Sequence, residues 1–146
     1  KIVEPSIRLT LLDSLNKRID FLKEVCADLG LADVDCIHGR AEEFAANHRE
    51  SFDIVTSRAV ANLQLLAELC LPFVKVGGLF LAMKGAAAPG ELEEAKSAIS
   101  LLGGRLERVY TYSVDGAERY VPLIRKVKPT PPRFPRRFSK IKQQPL

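Results

Sequence analysis

The 146-residue sequence contains no tryptophan, one methionine and three cysteines, and only 7% of its residues are aromatic. Its apolar share, 47%, is still enough for the core of one domain, which excludes wholesale disorder. No apolar run reaches the roughly 18 to 20 residues that a helix needs to cross a bilayer. No charged-then-apolar leader marks the chain for secretion, and a cytoplasmic protein without membrane contact is expected. Cys26, Cys36 and Cys70 are odd in number and form no CxxC, which points to a reducing compartment and to core thiols. His38 and His48 lack the spacing of a metal pair, so no metal is expected. A Ser/His/Asp or Cys/His nucleophile set is missing, and so are a Walker loop and a GxGxxG turn. The chain opens on Lys1 in what reads as a continuing sequence, and we take it as a fragment.

Acid is missing from the last twenty residues. All 18 acidic residues precede position 127, whereas Lys128, Arg133, Arg136, Arg137, Lys140 and Lys142 follow it. Five of the nine prolines are there too. The expectation is a domain over 1–127 and a basic, extended, unpacked tail over 128–146. Such a tail suits a polyanion such as RNA; a solvated end with no partner explains it equally well.

Two periodicities alternate along the rest. Residues 7–12 read as a strand, followed by a helix with Leu15, Ile19, Leu22, Val25, Cys26 and Leu29 on its apolar face. Ser14 suits its N-cap and Gly30 its end. Strands are expected at 34–38 and 53–57, with one or two helical turns at 41–46 between them. A helix from Leu63 ends at Pro72, and Gly77-Gly78 turns into a strand at 79–83 that reads as buried on both faces. Pro89 opens a helix whose buried face is Leu92, Ala95, Ile99 and Leu102, ended by Gly103-Gly104. Asp115-Gly116 joins two last strands at 105–113 and 119–126. This order predicts an α/β fold, a mostly parallel sheet with helices on both faces and a closing antiparallel hairpin.

In such sheets ligands bind beyond the carboxyl ends of the strands. Asp13 follows the first strand, where an acid accepts hydrogen bonds from the ribose hydroxyls of an adenosine-bearing cofactor; capping the helix is the plain alternative. HGRAEEF at 38–44 follows the second, and Ala41-Glu42 could bracket an adenine, or simply open a helix with favourably placed acids. Arg58 follows the third, placed either to clamp phosphate or base edges or to pair with Glu42 or Glu43. Lys84 follows the fourth and Arg119 begins the last strand, each individually compatible with a solvated charge. Together with Arg40 these residues should gather at one rim.

The segments LLDSLNKRIDFLKEV (11–25), HGRAEEF (38–44), TSRAVANL (56–63), LPFVKVGGLFLAMKG (71–85) and ERYVPLIRKV (118–127) resemble the glucose-inhibited division protein B family. Its members are bacterial methyltransferases acting on N7 of a guanine in 16S rRNA. The resemblance implies a Rossmann-like class I S-adenosylmethionine-dependent methyltransferase fold and a monomer acting on 16S rRNA or the small-subunit particle. It further implies that Asp13, Ala41, Glu42 and Arg58 hold S-adenosylmethionine, and that Arg58, Lys84, Arg40 and Arg119 position the RNA. The family's glycine-rich loop and first strand have no counterpart here. Because that strand is central in the order 3-2-1-4-5-7-6, the strands of Asp13 and Arg58 should each lack a neighbour, and the fragment alone should be inactive and poorly stable. Guanine N7 carries a free lone pair, so no general base is needed. Arg58→Ala and Lys84→Ala should lose most activity while staying folded. Competing readings are a nicotinamide-dependent oxidoreductase domain and a non-catalytic RNA-binding module driven by the tail.

Overall fold

The computed structural model describes residues 1–58 and 61–146; Ala59 and Val60 of the TSRAVANL segment lie outside the described residues. The elements run β1 (Leu9–Asp13), α1 (Asn16–Asp28), β2 (Val34–His38), α2 (Ala41–Phe44), β3 (Phe52–Arg58), α3 (Leu63–Cys70), β4 (Val74–Met83), α4 (Ala88–Leu101), β5 (Gly104–Val114), β6 (Ala117–Lys126) and α5 (Phe138–Gln143). They form two compact units, Lys1–Phe44 and Ala45–Leu146.

In the first unit β1 and β2 pair in parallel, from Leu9 opposite Val34 to Asp13 opposite His38. Helix α1 connects them. Its expected apolar face is covered only in part: Ile19 is fully buried, whereas Leu15 and Leu29 are exposed. Nor is Ser14 the cap. Leu15 occupies the N-cap position with no side-chain cap of its own, and its N–H donates to Asp13 Oδ1 at 2.8 Å. The helix ends as expected at Gly30, whose φ of 59° suits a residue without Cβ.

The second unit holds a four-stranded sheet in the order β3-β4-β6-β5. β3 and β4 are parallel, and β6 runs antiparallel to both β4 and β5. Among the described residues β1 pairs only with β2 and β3 only with β4, where the resemblance implied a common neighbour. The hairpin turn is Asp115-Gly116, with φ of 50° and 75°, the left-handed pair that matches strand twist. Helices α3 and α4 pack together over one face of this sheet, with Leu63, Leu66, Ala67, Leu92, Ala95 and Ile99 against Phe80, Ala82 and Ile124.

Two expectations fail here. The 79–83 run is not buried on both faces: Phe80 and Ala82 are buried, Leu79 and Leu81 half-buried, and Met83 exposed. Both helices lie over the same face, so alternate residues of β4 look the other way. The second failure is the tail, which is packed rather than loose. Thr130, Phe134 and Ile141 are buried, and α5 adds a further helix. Lys126, fully buried at the end of β6, donates to Leu71 O (2.6 Å), Val74 O (3.2 Å) and Thr130 Oγ1 (2.7 Å). Its Nζ also lies 3.3 Å from Glu50 Oε1. Burial draws the Lys126 ammonium below its usual value, and Glu50 offsets part of that. Arg136 wraps the fully buried Glu68 through its backbone N–H, Nε and Nη2 at 2.6–2.9 Å. Gly103 is required where the tail crosses it, because a Cβ would sit 2.2 Å from Lys128 O.

Candidate functional site

Each unit gathers its own sequence-predicted residues at the carboxyl ends of its strands. In the first, Asp13 closes β1 and faces His38 across the pair, and Arg40, Ala41 and Glu42 follow β2 directly. Asp13 accepts from Leu15 N–H and, at 3.1 Å, from the exposed Arg18 guanidinium. Partial burial pushes its carboxyl up, but the Leu15 N–H and the Arg18 bond and charge outweigh this and hold it below the ordinary 3.8. Two carboxylate oxygens offer about four lone-pair sites, so acceptor capacity remains for a ligand. Beside it, Leu15, Asn16, Lys17, Arg18 and Phe21 line an open, largely apolar recess. Glu42 is mostly buried and lies 3.8 Å from Arg40 Nη1.

Asp13 therefore ties down the entry to α1 and keeps spare capacity. Asp13→Ala should lower stability by about 1 kcal/mol at neutral pH through loss of the Leu15 N–H bond and the Arg18 pair. Because the folded value is depressed, that contribution is fully present above the unfolded value and vanishes as pH falls through the folded one. Denaturant titrations of both proteins at neutral and acidic pH, converging only on the acid side, would show this.

In the second unit Arg58 closes β3 opposite Met83 at the end of β4. Lys84 and Tyr120 then exchange both backbone hydrogen bonds, at 2.8 and 3.0 Å, so the start of β6 does lie at this rim. Arg119 is consequently brought to the carboxyl end of β4. Arg58 and Arg119 are both exposed and, by the strand register, share one face, two strands apart and two residues out of step, about 12 Å.

Lys84 has a different setting. Its ammonium is buried, donating to Ala61 O at 2.7 Å and pairing with Glu91 Oε2 at 2.7 Å. The same carboxylate oxygen accepts Leu63 N–H at 2.8 Å. One buried ion pair thus ties the end of β4 and the first turn of α4 to the segment entering α3, whose N-cap is Asn62. Sequence reasoning did not mark Glu91 as a site residue. Its pairing with Lys84 spans seven positions across a loop, and no periodicity signals that.

Thiol chemistry finds no support in the second unit. Burial pushes the Cys70 thiol up to about 12. Cys26 and Cys36 are half-buried, less enclosed than core thiols. Among the described residues no group of three acidic, His or Cys side chains could hold a metal ion, and no helix is long and apolar enough to cross a membrane.

A family model described as rRNA small subunit methyltransferase G matches residues 1–119. Similar curated proteins include the ribosomal RNA small subunit methyltransferase G of Lacticaseibacillus paracasei, 52% identical over 151 residues, and that of Clostridium kluyveri, 46% identical over 148. Both alignments cover all of this chain, which spans 62% of either relative's length. Among solved structures, a variant of the 16S rRNA (adenine(1408)-N(1))-methyltransferase from Catenulisporales acidiphilia superposes with a TM-score of 0.70 at 14% identity, covering 89% of this chain and 78% of that one. TrmN from Thermus thermophilus gives 0.62 at 17% identity, covering 81% of this chain and 36% of that one. At these identities the structural matches show the fold: a class I methyltransferase α/β fold.

Proposed function

Since the chain belongs to the rRNA small subunit methyltransferase G family, we propose that it acts in transferring a methyl group from S-adenosylmethionine to N7 of a guanine in 16S rRNA. The observation that carries this reading is the shared exposed face of Arg58 and Arg119 at the strand ends, two cations with room between them for a nucleotide.

The first unit suits the cofactor. Asp13 would accept from the ribose hydroxyls, the apolar recess beside it would take adenine or ribose surface, and Ala41 and Glu42 would bracket the adenine. When bound, S-adenosylmethionine supplies a methyl group on a positively charged sulfur. Guanine N7 offers an unprotonated lone pair in line with that bond, so no protein group has to remove a proton. What remains for the chain is alignment, worth up to about 7–11 kcal/mol in favourable cases. In the second unit Arg58 and Arg119 would hold phosphate or the guanine edge, and in the first unit Arg40 would hold an RNA phosphate. Lys84 would contribute from beneath by fixing, with Glu91, the segment that leads into α3. On this reading the protein works in the cytoplasm as a monomer on rRNA or the small-subunit particle.

Arg58 tests the reading most directly. In the full-length protein Arg58→Ala should cut methyl transfer to unmodified 16S rRNA by about 100-fold, with the melting temperature unchanged because its side chain is exposed. Wild-type rates would remove Arg58 from the site. RNA binding without any methyl transfer by the unaltered protein would favour a binding module instead.

A further inference from the structure

Residues 128–146 form a strap packed along α3 rather than a loose end. The strap is tied at Thr130 to Lys126, at the end of β6. It passes Glu68 in α3, which holds Arg136, and reaches Gln64 in the first turn of that helix, whose Nε2 donates to Leu146 O at 2.9 Å. Because α3 is entered from the rim where Lys84 holds Ala61 O, Leu146 lies beside that rim. Phe134 joins the α3–α4 core, so the strap is on the helix-covered side of the sheet, away from its bare face. Among the described residues, Arg136 is the one basic residue of the strap in an ion pair. Lys128, Arg133, Arg137, Lys140 and Lys142 are all exposed, with Lys140 and Lys142 flanking the buried Ile141 of α5. The Arg133 guanidinium rests 5.0 Å from the centre of the buried Phe134 ring. Every other exposed residue of 128–146 is Pro, Ser or Gln, and the segment contains no acid.

We propose that this strap is a phosphate-binding surface that holds the backbone of the substrate RNA beside the strand-end rim. The inference rests on the methyltransferase reading and adds where the RNA runs outside the pocket. Cations held in place without apolar anchors suit a polyanion backbone, which positions RNA without reading its sequence. A protein interface is built around apolar or aromatic side chains, and beyond proline the strap exposes none. Anything that covers these cations in the full-length protein has to be anionic itself, since a buried cation is tolerated only with a partner. Packing along α3 also orders the strap before phosphate arrives, so binding costs it less freedom than it would a loose end.

The test is binding of a labelled 16S rRNA fragment to the full-length protein without S-adenosylmethionine, followed by fluorescence anisotropy across a range of salt concentrations. Lys140→Gln with Lys142→Gln should weaken binding about tenfold. It should also make the plot of log affinity against log salt shallower by roughly 1.5, the loss of two phosphate contacts. In a methylation assay the same variant should raise KM and keep kcat, because the strap stands outside the chemistry. Its melting temperature without RNA should equal that of the unaltered protein. Lys96→Gln, which removes an exposed charge from α4, should leave the salt slope unchanged. A double variant with the unaltered slope would overturn the proposal, as would an equal loss per charge from Lys96→Gln, which would make net charge the cause. So would a lower melting temperature without RNA, since the two lysines would then serve partners within the protein. Strap-dependent RNA binding without methyl transfer leaves this inference standing and removes the enzymatic reading. Methyl transfer with an unchanged slope does the reverse.

Discussion

Removing residues 128–146 from the full-length protein should abolish cooperative unfolding, not merely weaken its hold on RNA. Glu68 is fully buried and accepts hydrogen bonds from the backbone N–H, Nε and Nη2 of Arg136. Taking away one partner of a buried ion pair costs about 3–5 kcal/mol, against a total stability of about 5–15 kcal/mol for a typical domain. The deletion also withdraws Thr130 from Lys126 and takes the buried Phe134 and Ile141 out of the interior. Arg49, which donates to the carbonyl oxygens of Phe134 and Thr130, loses those acceptors. Circular dichroism melts of the truncated and intact proteins check this; a midpoint within a few degrees of the intact one would show these contacts to be dispensable. The deletion consequently cannot serve as a clean test of whether the tail binds RNA. Lys140→Gln with Lys142→Gln can, since both side chains are exposed on α5 and the change leaves Arg136 and Phe134 untouched.

Lys84→Ala should likewise be a stability mutant before it is an activity mutant. The expectation that it stays folded does not survive the geometry. The Lys84 side chain is 6% exposed and that of its partner Glu91 19%, so the substitution strands a mostly buried carboxylate and an acceptor at Ala61. A loss of about 3–5 kcal/mol is expected by denaturant titration. Lys84→Met with Glu91→Gln should recover much of it, because both charges go while the Gln oxygen still accepts Leu63 N–H. If the double variant regains stability but methyl transfer stays low, the ion pair positions the segment entering α3. If single and double variants are equally unstable, the pair is not what holds that segment.

Much of the framework was legible in the linear pattern. The strand at 34–38 agrees at both ends, the Asp-Gly turn adopts the backbone its residues favour, and the buried face of α4 is the one read from its spacing. The same reasoning brought Arg119 to the rim, because an antiparallel strand begins where its parallel neighbours end. Misreadings cluster where the deciding partner is distant. Six basic residues and five prolines made the tail read as solvated. Yet Glu68 meets Arg136 from 68 positions away, and Glu50 meets Thr130 from 80. The apolar run at 79–83 showed its polarity but not which of its faces a helix would cover.

Local backbone geometry is what the sequence determined alone: two-residue alternation makes strands, three-to-four-residue spacing makes helices, and glycine or proline marks their ends. These depend on neighbours within a few positions and need no knowledge of the rest of the chain. Which charges are enclosed, which face of a sheet stays open and whether a basic end packs or floats were decided by tertiary structure. Burial and pairing depend on surfaces that meet only after folding, and a buried charge is tolerated only where a distant partner arrives to meet it.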